Sequence, residues 1–372
     1  MRLRLLAVAA AALVFATPAP AAAPPVAARA YFVVNPATGE ILAQRRAWTR
    51  VPIASITKLM TVIVALEHAK WGDVVRVRQE AAAVGESTIN LRAGERITVG
   101  DLVKGALIQS ANDAADALAD YVGRGNQAAF VQMMNAKAAQ LGLARTHFAR
   151  PDGLDARAHY STALDVTRLA EIAMRDPRIR AVVRERTASI SGGRRLHTWN
   201  DLLGVFHGLY GVKTGHTSAA GWCQVAVVRR NGVTLYTTVL GSPNRSQRNA
   251  DLAALLRWAV GRYRQAWVVQ PRHVYLNASV GYGKHAVPLV AARAAAGAVR
   301  IDRPLVERVI APASLHLPVT RGQRVGEVRV YSGKRLVARR SLVAERSVTR
   351  PGLGGRVGFY VSRTFHHVGS WF

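Results

Sequence analysis

Hydrophobic positions change their spacing several times along the chain, and each change predicts a different element. Ala30 to Val34 is a short apolar run, Asn35-Pro36-Ala37-Thr38-Gly39 has turn chemistry, and Glu40 to Arg45 reads as a returning strand. From Ser55 to about Ala69 the pattern turns helical and apolar on every side, through Ile56, Leu59, Met60, Val62, Ile63, Val64 and Leu66. A helix with so little polar surface belongs in the middle of a core. Pro52 stands just before it, near where a helix begins. Residues 100–180 keep helical spacing: one helix capped by Asp101 and running towards Gln109, a second over Asn112 to Val122, and a third over Phe130 to Leu141 that ends at Gly142. A fourth is opened by Ser161 or Thr162.

Strand patterning then returns. Gly221 to Arg230 and Val233 to Leu240 flank Asn231-Gly232, a strong hairpin signal. A helix from about Ser246 to Tyr263 follows, with Leu252, Leu255, Leu256 and Val260 on one face. Strands before and after a helical block, joined by hairpins, predict a mainly antiparallel sheet covered by helices. From residue 264 onward, short Val/Leu-rich runs are bounded by Gly, Pro or Asn. Val325 to Tyr331 and Leu336 to Ala344 flank Ser332-Gly333-Lys334, which predicts a separate small β domain.

The first residues combine a basic start, Met1-Arg2-Leu3-Arg4, with an apolar run from Leu5 to Phe15 and an Ala/Pro-rich stretch, the pattern of a secretory signal peptide. Ala19-Pro20-Ala21 and Ala21-Ala22-Ala23 both fit a cleavage site. The expected organisation is a leader over 1–23, a main domain over 24–263, a β-rich domain over 264–358 and a tail over 359–372. In the tail, Val361, Phe365, Val368 and Phe372 fall at helical spacing, as in a short interfacial anchor.

Composition narrows the partners. The chain of 372 residues is half hydrophobic, enough for a sizeable core, and carries a formal net charge of +29. Residues 264–372 alone hold 18 Lys/Arg against 4 Asp/Glu. Such a charge favours anionic partners. Export makes nucleic acid a poor candidate and an anionic membrane surface or envelope polymer a better one. Cys223 is the single cysteine, so no intrachain disulfide forms, and its apolar surroundings read as a strand core. No His/Cys cluster has metal-ligand spacing and no glycine loop suits a phosphate, so neither metal nor cofactor is expected.

Three short elements carry the chemistry: Ser55-Ile56-Thr57-Lys58, Ser110-Ala111-Asn112 and Lys213-Thr214-Gly215. In the first, residues three apart share a helix face, so the amine reaches the hydroxyl, while the helix start offers free N–H groups for developing negative charge. Taken alone, it also fits a capped helix start with a solvated lysine, but Lys58 sits in an apolar run where such a lysine is out of place. The second adds a hydroxyl and an amide. The third adds a cation, a hydroxyl and a glycine that permits close backbone approach.

Ser-x-x-Lys followed by Lys-Thr-Gly marks penicillin-recognising serine enzymes. The wider context resembles the low-molecular-mass penicillin-binding proteins that are serine-type D-alanyl-D-alanine carboxypeptidases. Ala54-Ser55-Ile56-Thr57-Lys58-Leu59-Met60-Thr61 is similar to their nucleophile segment. Ser110-Ala111-Asn112-Asp113-Ala114 is similar to the second element, with alanine where glycine is more usual. Gly211-Val212-Lys213-Thr214-Gly215-His216-Thr217, with Ala220-Gly221-Trp222-Cys223, resembles the third. Arg150 stands where that family usually has asparagine, and Leu317 to Gly326 resembles the start of a hairpin in its C-terminal β domain.

The resemblance implies an α+β fold: a β-lactamase/DD-peptidase-like domain followed by a small β-rich domain. It implies that Ser55 is acylated by peptidoglycan stem peptides ending in D-Ala-D-Ala, with β-lactams as covalent inhibitors. Lys58 is the general base, its pKa lowered by burial and by Lys213. Ser110 and Lys213 pass the proton to the leaving amine, and Asn112 holds the substrate amide. The backbone N–H groups of Ser55 and His216 are expected to form the oxyanion hole, Gly215 is expected among the substrate-binding residues, and Thr214 and Arg248 are candidates for the terminal carboxylate, the alternative for Arg248 being an ordinary helix-surface charge. A DD-endopeptidase would carry the same motifs. A β-lactamase of the glutamate-activated type lacks its signature here, since Glu171 is followed by Ile172-Ala173-Met174. A non-catalytic envelope-binding protein has no need of an intact Ser/Lys/Lys set. The expected place of action is the periplasm or the extracytoplasmic face of the cytoplasmic membrane, with the tail as a candidate peripheral anchor.

Overall fold

The computed structural model describes residues 10–12, 22–282, 284–355, 357 and 359. They fall into two compact units, one of Ala22–Gly261 and one formed from Arg262 onward together with the residues before Ala22.

The larger unit is built on a five-stranded antiparallel sheet. Its strands are β1 (Ala30–Asn35), β2 (Glu40–Arg45), β3 (Leu209–Thr217), β4 (Gly221–Arg230) and β5 (Val233–Ser242), in the order β2-β1-β5-β4-β3. Both expected hairpins are present: β1 with β2 across the Asn35 turn, and β4 with β5 across Asn231-Gly232, where both residues adopt positive φ. Helix α1 (Lys58–His68) is the centre of the helical part, every residue from Lys58 to Leu66 being buried, as its all-round apolar pattern demands. Against it pack α2 (Asn112–Val122), α3 (Gln127–Gln140) and α4 (Ala163–Ala173). Helix α5 (Arg245–Gly261) lies on β4 and β5.

Several boundaries differ from the sequence expectation, each for a local reason. The helix expected from Ser55 begins as a 3-10 turn, Ala54–Thr57, and becomes α-helical only at Lys58. The helix expected to be capped by Asp101 is capped by Thr98, whose Oγ1 accepts from the Asp101 N–H at 3.1 Å. Helix α3 starts three residues before Phe130 because Asn126 Oδ1 accepts from Ala129 N–H at 3.1 Å. Tyr263, read as the end of a helix, instead opens a strand.

The smaller unit is β-rich. Its seven-stranded sheet places Ala10–Ala12, Leu305–Ile310, Arg324–Ser332, Arg335–Ala344, Val287–Ala291, Val274–Val280 and Ser314–Leu315 side by side, and Tyr263–Val269 pairs with Ala295–Arg300. Val269, Leu289, Val328, Val330 and Leu342 fill its core. Of the expected leader, residues 10–12 form the edge strand beside Val306–Arg308, while residues 1–9 and 13–21 lie outside the described residues. So do residues 360–372 and with them the apolar spacing of the tail. Among the described residues no helix is long and apolar enough to cross a membrane.

Candidate active site

The three sequence elements meet at one cleft of about 600 Å³, lined by Ser55, Ser110, Asn112, Thr214, Gly215, His216 and Arg248, with Glu86, Ser87, Trp199 and Trp222 completing its walls. Lys58 and Lys213 lie beneath, both buried. All nine residues singled out in the sequence are therefore brought together.

Ser55 occupies the 3-10 turn at the head of α1, and Lys58 is the first residue of the α-helix proper. The three-residue separation turns the amine onto the hydroxyl: Lys58 Nζ donates to Ser55 Oγ at 2.8 Å. The same Nζ donates to Asn112 Oδ1 at 2.6 Å and to the Asp152 carbonyl at 2.5 Å. Burial pushes the Lys58 pKa down to about 8, against the opposing pull of Asp152, Asp116, Glu86 and Asp113. The sequence reading gave Lys213 a share in that depression. Burial is the largest cause, and the repulsion between the two neighbouring amines is mutual: Lys213 is itself driven well below the ordinary lysine range by burial first, then by Lys58 and Arg248.

Ser110 reaches the cleft through an irregularity in the backbone. The helix before it widens into a π-turn over Gly105–Gln109, Ala111 N–H donates to the Gly105 carbonyl at 3.0 Å, and Ser110 takes a left-handed φ of 64°. Such single-turn widenings recur at functional sites, and a non-glycine left-handed residue persists only when its surroundings enforce it. Here Lys213 Nζ donates to Ser110 Oγ at 2.8 Å and to the Thr214 carbonyl at 2.8 Å. The chain re-enters a helix at Asn112. Its backbone N–H donates to the Ser87 carbonyl at 2.6 Å, and its Nδ2 donates to the Gly85 carbonyl at 2.9 Å.

Strand β3 closes the opposite side as the sheet's edge strand. His216 stacks on Trp222, its cross-strand partner, with ring centroids 4.1 Å apart. Gly215 is required by space: a Cβ there would come within 2.9 Å of the Ile53 carbonyl and 3.0 Å of the Ser55 nitrogen. Arg248 projects from α5 and is almost fully buried. Its Nη2 donates to Asn249 Oδ1 at 2.7 Å and Asp201 Oδ2 at 3.0 Å, and its guanidinium lies 5.6 Å from the Trp222 ring centroid. Burial lowers its pKa to about 10, so it remains charged at neutral pH.

A second ring of groups holds these in place. Arg150 grips Asp152 through two hydrogen bonds, Nη2 to Oδ2 at 2.7 Å and Nε to Oδ1 at 3.0 Å. That fixes the peptide whose carbonyl receives Lys58, and it gives the departure from asparagine at 150 a structural role. Gly153 follows with φ of 85°, and a Cβ there would lie 2.3 Å from the Ala54 carbonyl. His159 Nδ1 accepts from Ala149 N–H at 3.1 Å and Nε2 donates to Thr57 Oγ1 at 2.8 Å; burial lowers its pKa to about 4, so it is neutral.

Sequence reasoning missed Glu86, Ser87, Trp199 and Asp201. The first two lie in a loop with no periodicity, and the others lie in a turn between strands. Their roles depend on contacts with residues distant in sequence. Trp222 stood inside a quoted motif, but only its stacking on His216 gives it a place in the wall.

The geometry agrees with three comparisons. The D-alanyl-D-alanine carboxypeptidase family, peptidase S11, matches residues 17–244. D-alanyl-D-alanine carboxypeptidase DacC of Escherichia coli K12 is 33% identical over 373 residues, covering 94% of this chain and 92% of its own. The D-alanyl-D-alanine carboxypeptidase of Streptomyces sp. K15 is 36% identical over 264 residues, covering 65% of this chain and 91% of its own. Among solved structures, D-alanyl-D-alanine carboxypeptidase DacD from Francisella tularensis superposes with a TM-score of 0.65 at 26% identity, covering 91% of this chain and 98% of that one. The chain belongs to peptidase family S11, the D-alanyl-D-alanine carboxypeptidases.

Proposed function

We propose that this chain is a serine-type D-Ala-D-Ala carboxypeptidase that trims the terminal D-alanine from peptidoglycan stem peptides and is acylated by β-lactams. The observation that carries the reading is the buried Lys58 amine, with a pKa lowered to about 8, 2.8 Å from Ser55 Oγ. At pH 7 about a tenth of such an amine is unprotonated and can accept a proton, against well under a thousandth of an ordinary lysine.

Ser55 Oγ attacks the carbonyl of the penultimate D-alanine as Lys58 takes its proton. The tetrahedral oxyanion lies against the backbone N–H groups of Ser55 and His216. Collapse breaks the peptide bond, and the leaving amine receives a proton through Ser110, backed by Lys213. Water then attacks the acyl-enzyme along the same route and releases the shortened peptide. Arg248 and Thr214 receive the terminal carboxylate. Asn112 supports the substrate amide with the Nδ2 hydrogen not engaged by Gly85.

The leader pattern of residues 1–23 and the basic β-rich unit support an enzyme acting outside the cytoplasm beside an anionic membrane or envelope polymer, with the tail as a peripheral anchor. The decisive experiment is covalent labelling by a fluorescent penicillin together with D-alanine release from a defined linear peptide. Both are expected in the wild-type chain and neither in Ser55→Ala. A label that survives in Ser55→Ala overturns the mechanism.

A further inference from the structure

Glu86 is the one carboxylate among the described residues that line the cleft. Its side chain is exposed and takes part in no hydrogen bond or ion pair among the described residues, in a chain where Lys and Arg outnumber Asp and Glu by 51 to 22. Its backbone is not free to drift. Glu86 has a left-handed φ of 65°, which a non-glycine residue adopts only when held. The holding is visible on both sides. The Gly85 carbonyl accepts from Asn112 Nδ2 at 2.9 Å, the Ser87 carbonyl accepts from Asn112 N–H at 2.6 Å, and Ser87 Oγ donates to the Gln109 carbonyl at 2.9 Å. Residues 85 and 87 are thus tied to Asn112, and the side chain between them is presented to the cleft from a fixed base.

The charges of the cleft are consequently arranged by wall. The wall made by β3 and α5 carries Arg248, and the wall made by residues 85–87 carries Glu86. In the proposed reaction, on which this inference rests, Arg248 takes the terminal carboxylate and Asn112 the substrate amide. Glu86, fastened to Asn112, then faces the part of the peptide that precedes the scissile bond and stays on the enzyme as the acyl group. We infer that Glu86 forms a subsite for a primary ammonium on the acyl side of the substrate, such as the side-chain amine of a diamino acid preceding D-Ala-D-Ala. The cleft would then read a dipolar ligand, anionic at the leaving end and cationic at the retained end.

The test compares two peptides on the full-length chain: Nα-acetyl-L-Lys-D-Ala-D-Ala, with a free side-chain amine, and Nα,Nε-diacetyl-L-Lys-D-Ala-D-Ala, with that amine neutralised. An exposed charge pair supports a preference of about three- to fivefold in kcat/KM for the free amine at low salt, shrinking as salt is added. In Glu86→Gln the ratio falls to about one, and in Glu86→Lys it drops below one. Equal turnover of both peptides by the wild-type chain overturns the subsite and leaves the peptidase reading intact. So does a Glu86→Gln variant that slows both peptides by the same factor, since Glu86 would then act on the chemistry. Release of D-alanine from neither peptide overturns both readings.

Discussion

Gly215 and Ser55 stand so close that the smallest side chain on the first would touch the backbone nitrogen of the second, at 3.0 Å. The same Cβ would meet the Ile53 carbonyl at 2.9 Å and Ala54 Cβ at 3.1 Å, so the whole 3-10 turn bearing Ser55 would be pushed. Strand β3 and that turn define the space where an oxyanion would sit. Gly215→Ala is expected to lower the rate of acylation by benzylpenicillin about 10²-fold, the scale of losing one oxyanion donor. The melting temperature of the same variant, read by circular dichroism, is expected to move by only a few degrees.

Lys58 predicts a pH profile. Its pKa of about 8 places the acid limb of kcat/KM near that pH, with activity rising as the amine deprotonates. Asp116 is one of the carboxylates that pull this pKa up. Asp116→Asn is therefore expected to move the limb to lower pH, and stopped-flow acylation across pH 5–10 measures the shift. An unmoved limb would separate Asp116 from the titration of Lys58.

Asp116 also predicts a stability effect of definite sign. Burial raises its pKa to about 7, with Asp152 adding to the effect, and Oδ1 has no hydrogen-bond partner among the described residues. Above the unfolded value of 3.8 the unfolded chain sheds this proton more readily than the folded one. The folded state therefore loses stability as pH rises towards 7 and bears the full penalty beyond it. Asp116→Asn removes the penalty. Its melting temperature is expected to exceed that of the wild type at pH 8 by more than it does at pH 4.

His159 slopes in the opposite direction. Its pKa falls to about 4 because burial disfavours the imidazolium, so stability present above 6.5 is lost as pH falls towards 4. His159→Gln leaves no titrating group there, and the dependence of its unfolding midpoint on pH between 6.5 and 4 is expected to be shallower than that of the wild type.

Arg248 predicts selectivity for a free carboxylate. Charged hydrogen bonds contribute roughly 2 kcal/mol, so Arg248→Gln is expected to lower kcat/KM about 30-fold for a peptide ending in D-Ala-D-Ala. For the C-terminal amide of that peptide the loss is expected to be much smaller. Equal losses on the two peptides would assign Arg248 to the architecture of the wall.

Much of this was legible in the sequence because the chemistry sits in short contiguous motifs at element boundaries. Ser55 and Lys58 share one helical face, Lys213 to His216 lie on one strand, and the all-apolar run after Ser55 announced a buried helix that its lysine must share. Hairpins signalled by Asn35 to Gly39 and Asn231-Gly232 fixed the neighbours in the sheet. The π-turn before Ser110 was invisible, since the backbone widens there without a proline or a break in helical spacing. The Arg150–Asp152–Lys58 relay was equally hidden, because its last link is a backbone carbonyl. Glu86 carried no pattern at all. It becomes notable only when Asn112 is seen holding both of its neighbours.

That double hold has a bearing on how the enzyme can change. Asn112 takes the Lys58 amine with one end of its side chain and fastens the 85–87 wall with the other end and with its own backbone. The mouth of the cleft and the Lys58 amine are thus two ends of a single residue's bonding. A substitution that reshapes the wall to admit a different peptide is therefore expected to disturb the amine, and one that retunes the amine to loosen the wall. If Lys58 is the proposed base, substrate range and speed are coupled through Asn112, and altering one without the other calls for a compensating change beside it.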